Sequence, residues 1–334
     1  MEKIRTAVIG TGTFGEVHVR TYAESAGADL VCVCDLNEER AKEMAARYGC
    51  DYTTDSQEIA RDASIQVVSV ATPDFAHREP CLQMIEAGKD LLVEKPLATT
   101  VEDAEAITNA AKQKGIRFMT DFQNRWNPPF IHAKQQIEGG EMGAPVSGYI
   151  RLANHIRITD WLSWAGKSGP QWFLGPHIVD LVRWLFDQEA VKVFASAQRQ
   201  ILAGKGVDTY DAIQALVMFE NAFATVDTAW IVPMSWPRLD FRMDFLGTKG
   251  KLEIEPTGRS IGVGTHERFS TPFISGRQIF DDKLLGFFRE PILHFLDCVR
   301  SDKPCLVDVD DGLMVTRIIV AIEKSIETGA IVEI

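Results

Sequence analysis

The stretch Arg5-Thr6-Ala7-Val8-Ile9-Gly10-Thr11-Gly12-Thr13-Phe14-Gly15 decides the fold class: a short β-rich apolar run enters a G-x-G-x-x-G loop, and a helical pattern starts immediately after it. In that context the glycines permit a tight turn and bring backbone N–H groups and the positive end of a helix against a pyrophosphate. Asp35 stands 20 residues beyond Gly15, at the end of the next β-rich run, where a carboxylate accepts hydrogen bonds from both hydroxyls of a ribose. Leu36 and Asn37 follow it, and no arginine is adjacent to neutralise a 2′-phosphate. The reading is therefore NAD in preference to NADP, with Arg40 the one residue that leaves NADP open.

The same rhythm runs outward from this loop. Strands are predicted at Arg5–Ile9, Leu30–Cys34, Gln66–Val70, Asp90–Val93 and Arg117–Thr120. Between them lie helical stretches at Glu38–Tyr48, Ala76–Ala87 and Val101–Lys114, each closed by a glycine. Strands alternating with helices predict βαβ units and a doubly wound parallel sheet, a Rossmann domain over residues 1–121. After Pro128-Pro129 the pattern changes to long strand-like segments from Val146 to Leu252, interrupted by one helix near Pro176–Phe186. Ala212–Phe219 and Phe223–Val232 flank Glu220-Asn221-Ala222 as a hairpin, two helices are predicted at Pro291–Arg300 and Asp311–Thr328, and a short strand ends the chain at Ile331–Ile334. Residues 122–334 thus form a second α/β domain with a large, mostly antiparallel open sheet, joined to the first near Asp121–Pro129.

Length and composition agree with this division. At about 150 residues per domain, 334 residues make about two domains, and 46% hydrophobic with 25% charged residues suffices for a packed core. The net charge of −12 and the lack of any Lys/Arg block exclude nucleic acid and anionic membrane as expected partners. No stretch reaches the roughly 18 apolar residues of a membrane helix, and the N-terminal run is too short for a signal sequence. The six cysteines include no Cys-x-x-Cys pair, and the histidines show no ligand spacing, so reduced thiols, no metal and a cytoplasmic location are expected.

The glycine loop, Ala71-Thr72-Pro73 followed by His77, Glu94-Lys95-Pro96, Asn124-Arg125-Trp126-Asn127-Pro128 and His177-Ile178-Val179-Asp180 together make the chain resemble the glucose–fructose oxidoreductase / inositol dehydrogenase (Gfo/Idh/MocA) family over essentially its whole length. The resemblance implies a nicotinamide-dependent oxidoreductase acting on a carbinol of a sugar, sugar derivative or cyclitol. It implies cofactor contacts at Gly10, Thr11, Gly12, Thr13, Phe14, Gly15, Asp35, Ala71, Thr72, Pro73, His77, Glu94, Lys95 and Asn124. It makes His177 the catalytic histidine, and it implies a homodimer or homotetramer that buries the open sheet face.

Physical reasoning supports the catalytic pair independently. Strand carboxyl ends face the ligand crevice of a doubly wound sheet, so Lys95, restrained by the proline after it, can hydrogen-bond a reacting oxygen and favour the charge that develops as hydride leaves. His177 opens a helix behind Gly175-Pro176, where the helix end disfavours the imidazolium and leaves a neutral base for the hydroxyl proton. Asp180, one turn on, reads as a structural partner. Trp161, Trp164 and Trp172, among hydrogen-bonding residues, suit the faces and hydroxyls of a sugar ring. Substrate contacts are accordingly expected at Lys95, Asp160, Trp161, Trp172 and His177; the family resemblance implies further ones at Arg125 and His155, with Arg151 and Asn154 weaker candidates.

One position departs from the family pattern: Phe173 stands four residues before His177, where many members carry Asp. Lys95 and His177 work as a pair, or a carboxylate such as Asp160 substitutes, or the chemistry is altered. Besides a dehydrogenase, the residues are compatible with a retained-NAD cycle of epimerase, lyase or glycosidase type and with a non-catalytic dinucleotide sensor.

Overall fold

The structure is a computed structural model that describes residues 2–236, 239–258, 261–270 and 276–334. Its first sheet has six strands, β1 (Ile4–Ile9), β2 (Ala28–Cys34), β3 (Asp51–Thr53), β4 (Val67–Val70), β5 (Asp90–Glu94) and β6 (Phe118–Asp121), in the order β3-β2-β1-β4-β5-β6. Every neighbouring pair is parallel, as a doubly wound Rossmann sheet requires. The helices are α1 (Gly15–Glu24), α2 (Glu38–Tyr48), α3 (Ser56–Arg61), α4 (Arg78–Glu86) and α5 (Val101–Lys114). Central strands such as Val67–Val70 are buried on both faces, which is why they read as unbroken apolar runs. Polar caps set the helix starts: Asn37 accepts from the Arg40 N–H before α2, and Thr100 accepts from the Asp103 N–H before α5, contacts worth about 0.5–2 kcal/mol each. The short edge strand β3, absent from the predicted set, carries only three residues, two of them exposed, and offers little periodicity to detect.

The chain divides into two compact units, Met1–Gln123 with Arg277–Thr316, and Asn124–Gly276 with Arg317–Ile334. The expected second domain, 122–334, therefore differs from the structure over 277–316. The reason is packing: α11 (Glu290–Ser301) buries Pro291, Ile292, Phe295 and Leu296 and touches α1, β5 and β6. Val309 and Leu313 then join the apolar core of the first unit.

In the second unit, β7 (Pro145–His155), β8 (Ala190–Gln198), β9 (Ala212–Phe219), β10 (Phe223–Val232), β11 (Asp240–Gly247) and β12 (Lys251–Ile254) form a seven-stranded sheet with the terminal strand Val332–Glu333, in the order β12-β11-β7-β10-β9-β8-terminal strand. Only β10 and β7 run parallel. All the other pairs in this sheet are antiparallel, including the expected hairpin of β9 and β10. Strand β9 shows the alternation behind this: Ile213, Ala215, Val217 and Phe219 are buried, while Gln214 is exposed and Leu216 and Met218 are half-buried. The inner face receives α6 (Pro128–Glu138), whose Phe130 ring lies 5.4 Å from that of Phe241. It also receives a long helix, Gly175–Phe186, whose Phe186 packs on Phe219 and Phe245.

Three short helices interrupt the strand-rich stretch besides the expected one: α7 (Ile158–Trp161), α8 (Pro170–Phe173) and, after the long helix (α9), α10 (Ile201–Gly204). Each is about one turn long, too short to show a helical period. The last helix, α12 (Asp311–Thr328), has the predicted bounds. Among the described residues no helix is long and apolar enough to cross a membrane, and all six cysteines are free thiols.

Candidate active site

Gly10 follows β1, and its N–H donates to the Cys34 carbonyl at the end of β2. A Cβ at Gly10 would come within 2.5 Å of the Ala71 carbonyl oxygen, and one at Gly15 would overlap the Gly10 carbonyl. These two glycines let the loop and α1 pack against the end of β4. Gly12 is different: a Cβ there would meet nothing within 4 Å. The loop is thus tight on its protein side and open at Gly12, the form that lets a dinucleotide's pyrophosphate approach the backbone and the start of α1.

Asp35, just past β2, holds the loop from its other side. Its Oδ2 accepts from both the N–H and the hydroxyl of Thr11, each at 2.9 Å, and its Oδ1 accepts from the Asn37 N–H at 2.9 Å. Arg40 Nη1 lies 3.5 Å from the same carboxylate. Asn37, rather than Asp35, caps α2, so Asp35 is placed by the loop it serves. The residues present fit a dinucleotide with an unphosphorylated ribose.

The loops after β4 and β5 are tied together by His77. Its Nδ1 lies 2.7 Å from the Pro96 carbonyl and its Nε2 3.0 Å from the Thr72 carbonyl. The ring is buried and turned into the protein, so His77 locks the Ala71-Thr72-Pro73 loop rather than presenting a nitrogen to a cofactor. Glu94 is likewise buried: Oε1 accepts from His18 Nε2 at 3.2 Å and Oε2 from the Lys95 N–H at 3.2 Å. Both residues were expected as cofactor contacts, and both face inward because burial requires their polar atoms to find protein partners.

Lys95 follows β5, with a cis peptide bond to Pro96. Its ammonium sits 5.6 Å from the centre of the Phe14 ring, in the glycine loop, and the residue as a whole is 6% exposed. Burial lowers its pKa from the ordinary lysine value, while the charges of the neighbouring carboxylates Glu94 and Asp74 pull the other way. Phe14 in turn stacks on Phe288 at 6.3 Å, and the Arg277 guanidinium lies 5.9 Å from the Phe14 ring centre, its Nη1 donating to the Thr13 carbonyl at 3.4 Å. Nothing in the sequence pattern marks Arg277 and Phe288, because they lie more than 260 residues after the loop they touch.

The second unit holds the remaining candidates. His177 stands in the first turn of α9 and is buried, as is nearly the whole helix. One turn on, Asp180 accepts from Arg125 in a two-pronged pair, Nε to Oδ2 at 3.0 Å and Nη2 to Oδ1 at 2.6 Å. Both side chains are almost fully buried, and the Arg125 guanidinium also lies 5.8 Å from the Trp184 ring centre. Asp180 has the structural role expected of it. Arg125, expected to touch substrate, is instead the clamp that orients α9. Asn124, just before it, is buried in the short turn that leads to α6.

The tryptophan-rich segment separates into unlike parts. Trp172 is buried and its indole N–H donates to Glu323 Oε1 at 2.9 Å, with Gln171 donating to the same oxygen at 3.0 Å. Burial raises the pKa of Glu323 against these two hydrogen bonds. Trp172 is therefore anchored in the fold. Trp161 is 66% exposed, with Arg157 5.0 Å from its ring centre. Asp160 is exposed and its carboxylate lies 3.8 Å from Lys205, an environment far from the desolvated one a relay carboxylate needs. Phe173 packs between Trp164 and Trp230, with ring centres 6.2 and 5.8 Å away. His155 Nε2 lies 2.9 Å from the Trp236 carbonyl, and Arg151 bridges Asp227 and Asp240. Among the described residues one group, His18, Glu94 and Asp121, brings three metal-type ligand atoms within 4.8 Å of one another. His18 and Glu94 are hydrogen-bonded to each other, and His18 Nε2 lies 3.6 Å from Asp121 Oδ2.

The fold and site define a nicotinamide-dependent oxidoreductase. Residues 4–122 match the model of an oxidoreductase family with an NAD-binding Rossmann fold, and residues 130–253 match the GFO/IDH/MocA C-terminal domain. The chain belongs to the Gfo/Idh/MocA family, and it is an NAD-dependent dehydrogenase. It is 29% identical to scyllo-inositol 2-dehydrogenase (NAD(+)) of Bacillus subtilis, over 92% of this chain and 90% of that one. It is 28% identical to inositol 2-dehydrogenase 1 of Saccharopolyspora erythraea, over 99% and 96%. The crystal structure of Lactobacillus casei scyllo-inositol dehydrogenase with NAD(H) and scyllo-inositol superposes with a TM-score of 0.86 at 19% identity, covering 99% of each chain. GenD2 from gentamicin A biosynthesis, in complex with NAD, does so with a TM-score of 0.86 at 25% identity, over 100% of this chain and 97% of that one.

Proposed function

We propose that the protein oxidises a ring CH–OH group of a cyclitol or closely related sugar, passing hydride to NAD, with Lys95 and His177 handling the hydroxyl proton. The observation that carries this reading is the placement of Lys95: a buried ammonium at the end of β5, held over the ring of the glycine-loop residue Phe14. NAD, when bound, supplies hydride acceptance at nicotinamide C4. The open backbone at Gly12 and the start of α1 receive the pyrophosphate, and Asp35 receives the adenine-side ribose. Lys95, as the ammonium, donates to the reacting oxygen and stabilises its alkoxide character, an interaction strengthened by exclusion of water. His177, neutral, accepts the hydroxyl proton. Arg125 and Asp180 fix the helix that carries it. Because Phe173 is committed to an aromatic cluster and Asp160 is exposed, the pair acts without a third carboxylate at those positions.

The outer face of the second sheet carries Phe194, Leu216, Phe223 and Leu246 at its surface, and we infer that it pairs copies of this chain into a homodimer or homotetramer in the cytoplasm. A light-scattering mass of one chain would contradict that assembly.

The activity is tested by a NADH-absorbance screen across inositols, sugars and sugar acids. NADH formation with one or more inositols is the expected result. Turnover of any substrate without net NADH, from protein that copurifies with the cofactor, would replace this reading with a retained-NAD cycle.

A further inference from the structure

Beneath Lys95 lies a buried network that the reaction scheme leaves unused. Glu94 and Asp121 are direct neighbours across the parallel β5–β6 pair, so their carboxylates stand side by side at the strand ends. His18 of α1 reaches both: its Nε2 is 3.2 Å from Glu94 Oε1 and 3.6 Å from Asp121 Oδ2. His18 Nδ1 is 3.0 Å from the Ser69 hydroxyl, which is 2.7 Å from the Tyr22 hydroxyl. One donor order satisfies the chain: Tyr22 donates to Ser69, Ser69 to His18 Nδ1, and His18 Nε2–H to Glu94. Burial keeps Tyr22 protonated and therefore a donor.

The two carboxyl groups differ in what they receive. Glu94 accepts from His18 and from the Lys95 N–H, whereas Asp121 Oδ1 has no hydrogen-bond partner among the described residues. Two adjacent carboxylates in a dry site do not both ionise, and the charge settles where donors are. We propose that Glu94 and Asp121 are positioning residues for Lys95: the pair holds one proton, on Asp121, and sets a single negative charge, on Glu94, against the Lys95 ammonium. This rests on the reading of Lys95 given above. Titration tendencies agree. Burial and the neighbouring Glu94 push Asp121 well above the ordinary carboxylate range. Against the pull of burial, the hydrogen bond from His18 and the charge of Lys95 hold Glu94 below it. Among the described residues, ionisable groups facing Lys95 within this unit include Glu94, Asp121 and Asp74, with His18 and His77 beyond Glu94, and Arg277 lies across the Phe14 ring. The pair thus contributes one unit of negative charge beside the lysine, in addition to that of Asp74.

Two measurements test this. Infrared spectroscopy of the purified protein labelled with carbon-13 aspartate reads the proton directly, with no variant needed. A protonated-carboxyl C=O band that moves with the aspartate label, and that disappears in Asp121→Asn, is the expected result; its absence overturns the proposal. The pH dependence of kcat reads the charge. With both carboxyls neutralised, in Glu94→Gln/Asp121→Asn, the Lys95 pKa falls and the alkaline limb moves down by about one to three pH units. In Asp121→Asn the limb stays in place, because a neutral group replaces a neutral group; a downward move there overturns the proposal. Lys95→Ala separates the two layers. If it keeps the wild-type alkaline limb, the role of Lys95 fails, while the infrared result still decides where the proton sits. If it abolishes the limb but Glu94→Gln/Asp121→Asn leaves it unmoved, the role of Lys95 stands and the charge-setting pair fails.

Discussion

The glycine loop of the first unit and the Asp160–His177 segment of the second are equally rich in candidate residues, but they are built differently. Around Gly10–Gly15 the backbone itself makes the site: Asp35 closes on Thr11, Gly10 and Gly15 give close packing, and Gly12 faces open space. Around His177 side chains make it, and most of their polar atoms already have partners. Trp172 is bonded to Glu323, Asp180 to Arg125, and Phe173 sits among tryptophans. Where backbone builds a site, local spacing is enough to find it; where side chains build it, partners distant in sequence decide which candidates remain available.

The largest effect that sharpens this contrast is on stability. Arg125→Ala leaves the Asp180 carboxylate buried and uncompensated, and chemical denaturation should show a loss of about 3–5 kcal/mol. The double change Arg125→Ala/Asp180→Ala should cost less than the sum of the single changes. A loss near zero would return Arg125 to the substrate-binding candidates. At the other end of the comparison, Asp35→Ala should weaken NAD binding, read by calorimetry, by about 10–100-fold, the effect of losing one or two charge-assisted hydrogen bonds. NADP should be affected far less, with Arg40 then free of its carboxylate; equal losses would remove Asp35 from the ribose site.

A smaller effect carries a sign. The folded-state pKa of Asp121 is raised, so the stability attached to its proton is complete below the unfolded carboxylate value and is lost as pH rises toward the folded value. Asp121→Asn escapes this loss. Its Tm relative to wild type should therefore be higher at pH 8 than at pH 4, and the reverse order would contradict a protonated Asp121. Smallest of all, Trp161→Ala on the exposed turn should change stability by less than about 0.5 kcal/mol, and a large effect would show that the indole is held by contacts its exposure does not suggest.

Much of the fold was legible because the relevant signals are local. Periodicity and capping located α2, α5, β9, β10 and α12 to the residue, and the glycine loop after the first strand marked the NAD-binding Rossmann domain. Strand β3 and the one-turn helices α7, α8 and α10 were too short to carry a period. Arg277–Thr316 returns to the first unit through apolar contacts of α11 with β5 and β6, which no local pattern records. Among the candidate residues, Lys95 was marked by a strand end and His177 by a helix start. His77, Glu94 and Arg125 turned inward because carbonyls, His18 and Asp180 awaited them, and those pairings join residues 5 to 76 positions apart. The His18–Asp121 network escaped notice for the same reason.

The proton-handling roles of Lys95 and His177 are read from the rate of NADH formation from inositol for wild type beside Lys95→Ala and His177→Ala, each verified as folded. Wild type should produce NADH, and each variant should lose about 10²–10⁴-fold in kcat. Variants that match wild type would contradict the assignment of the proton-handling pair.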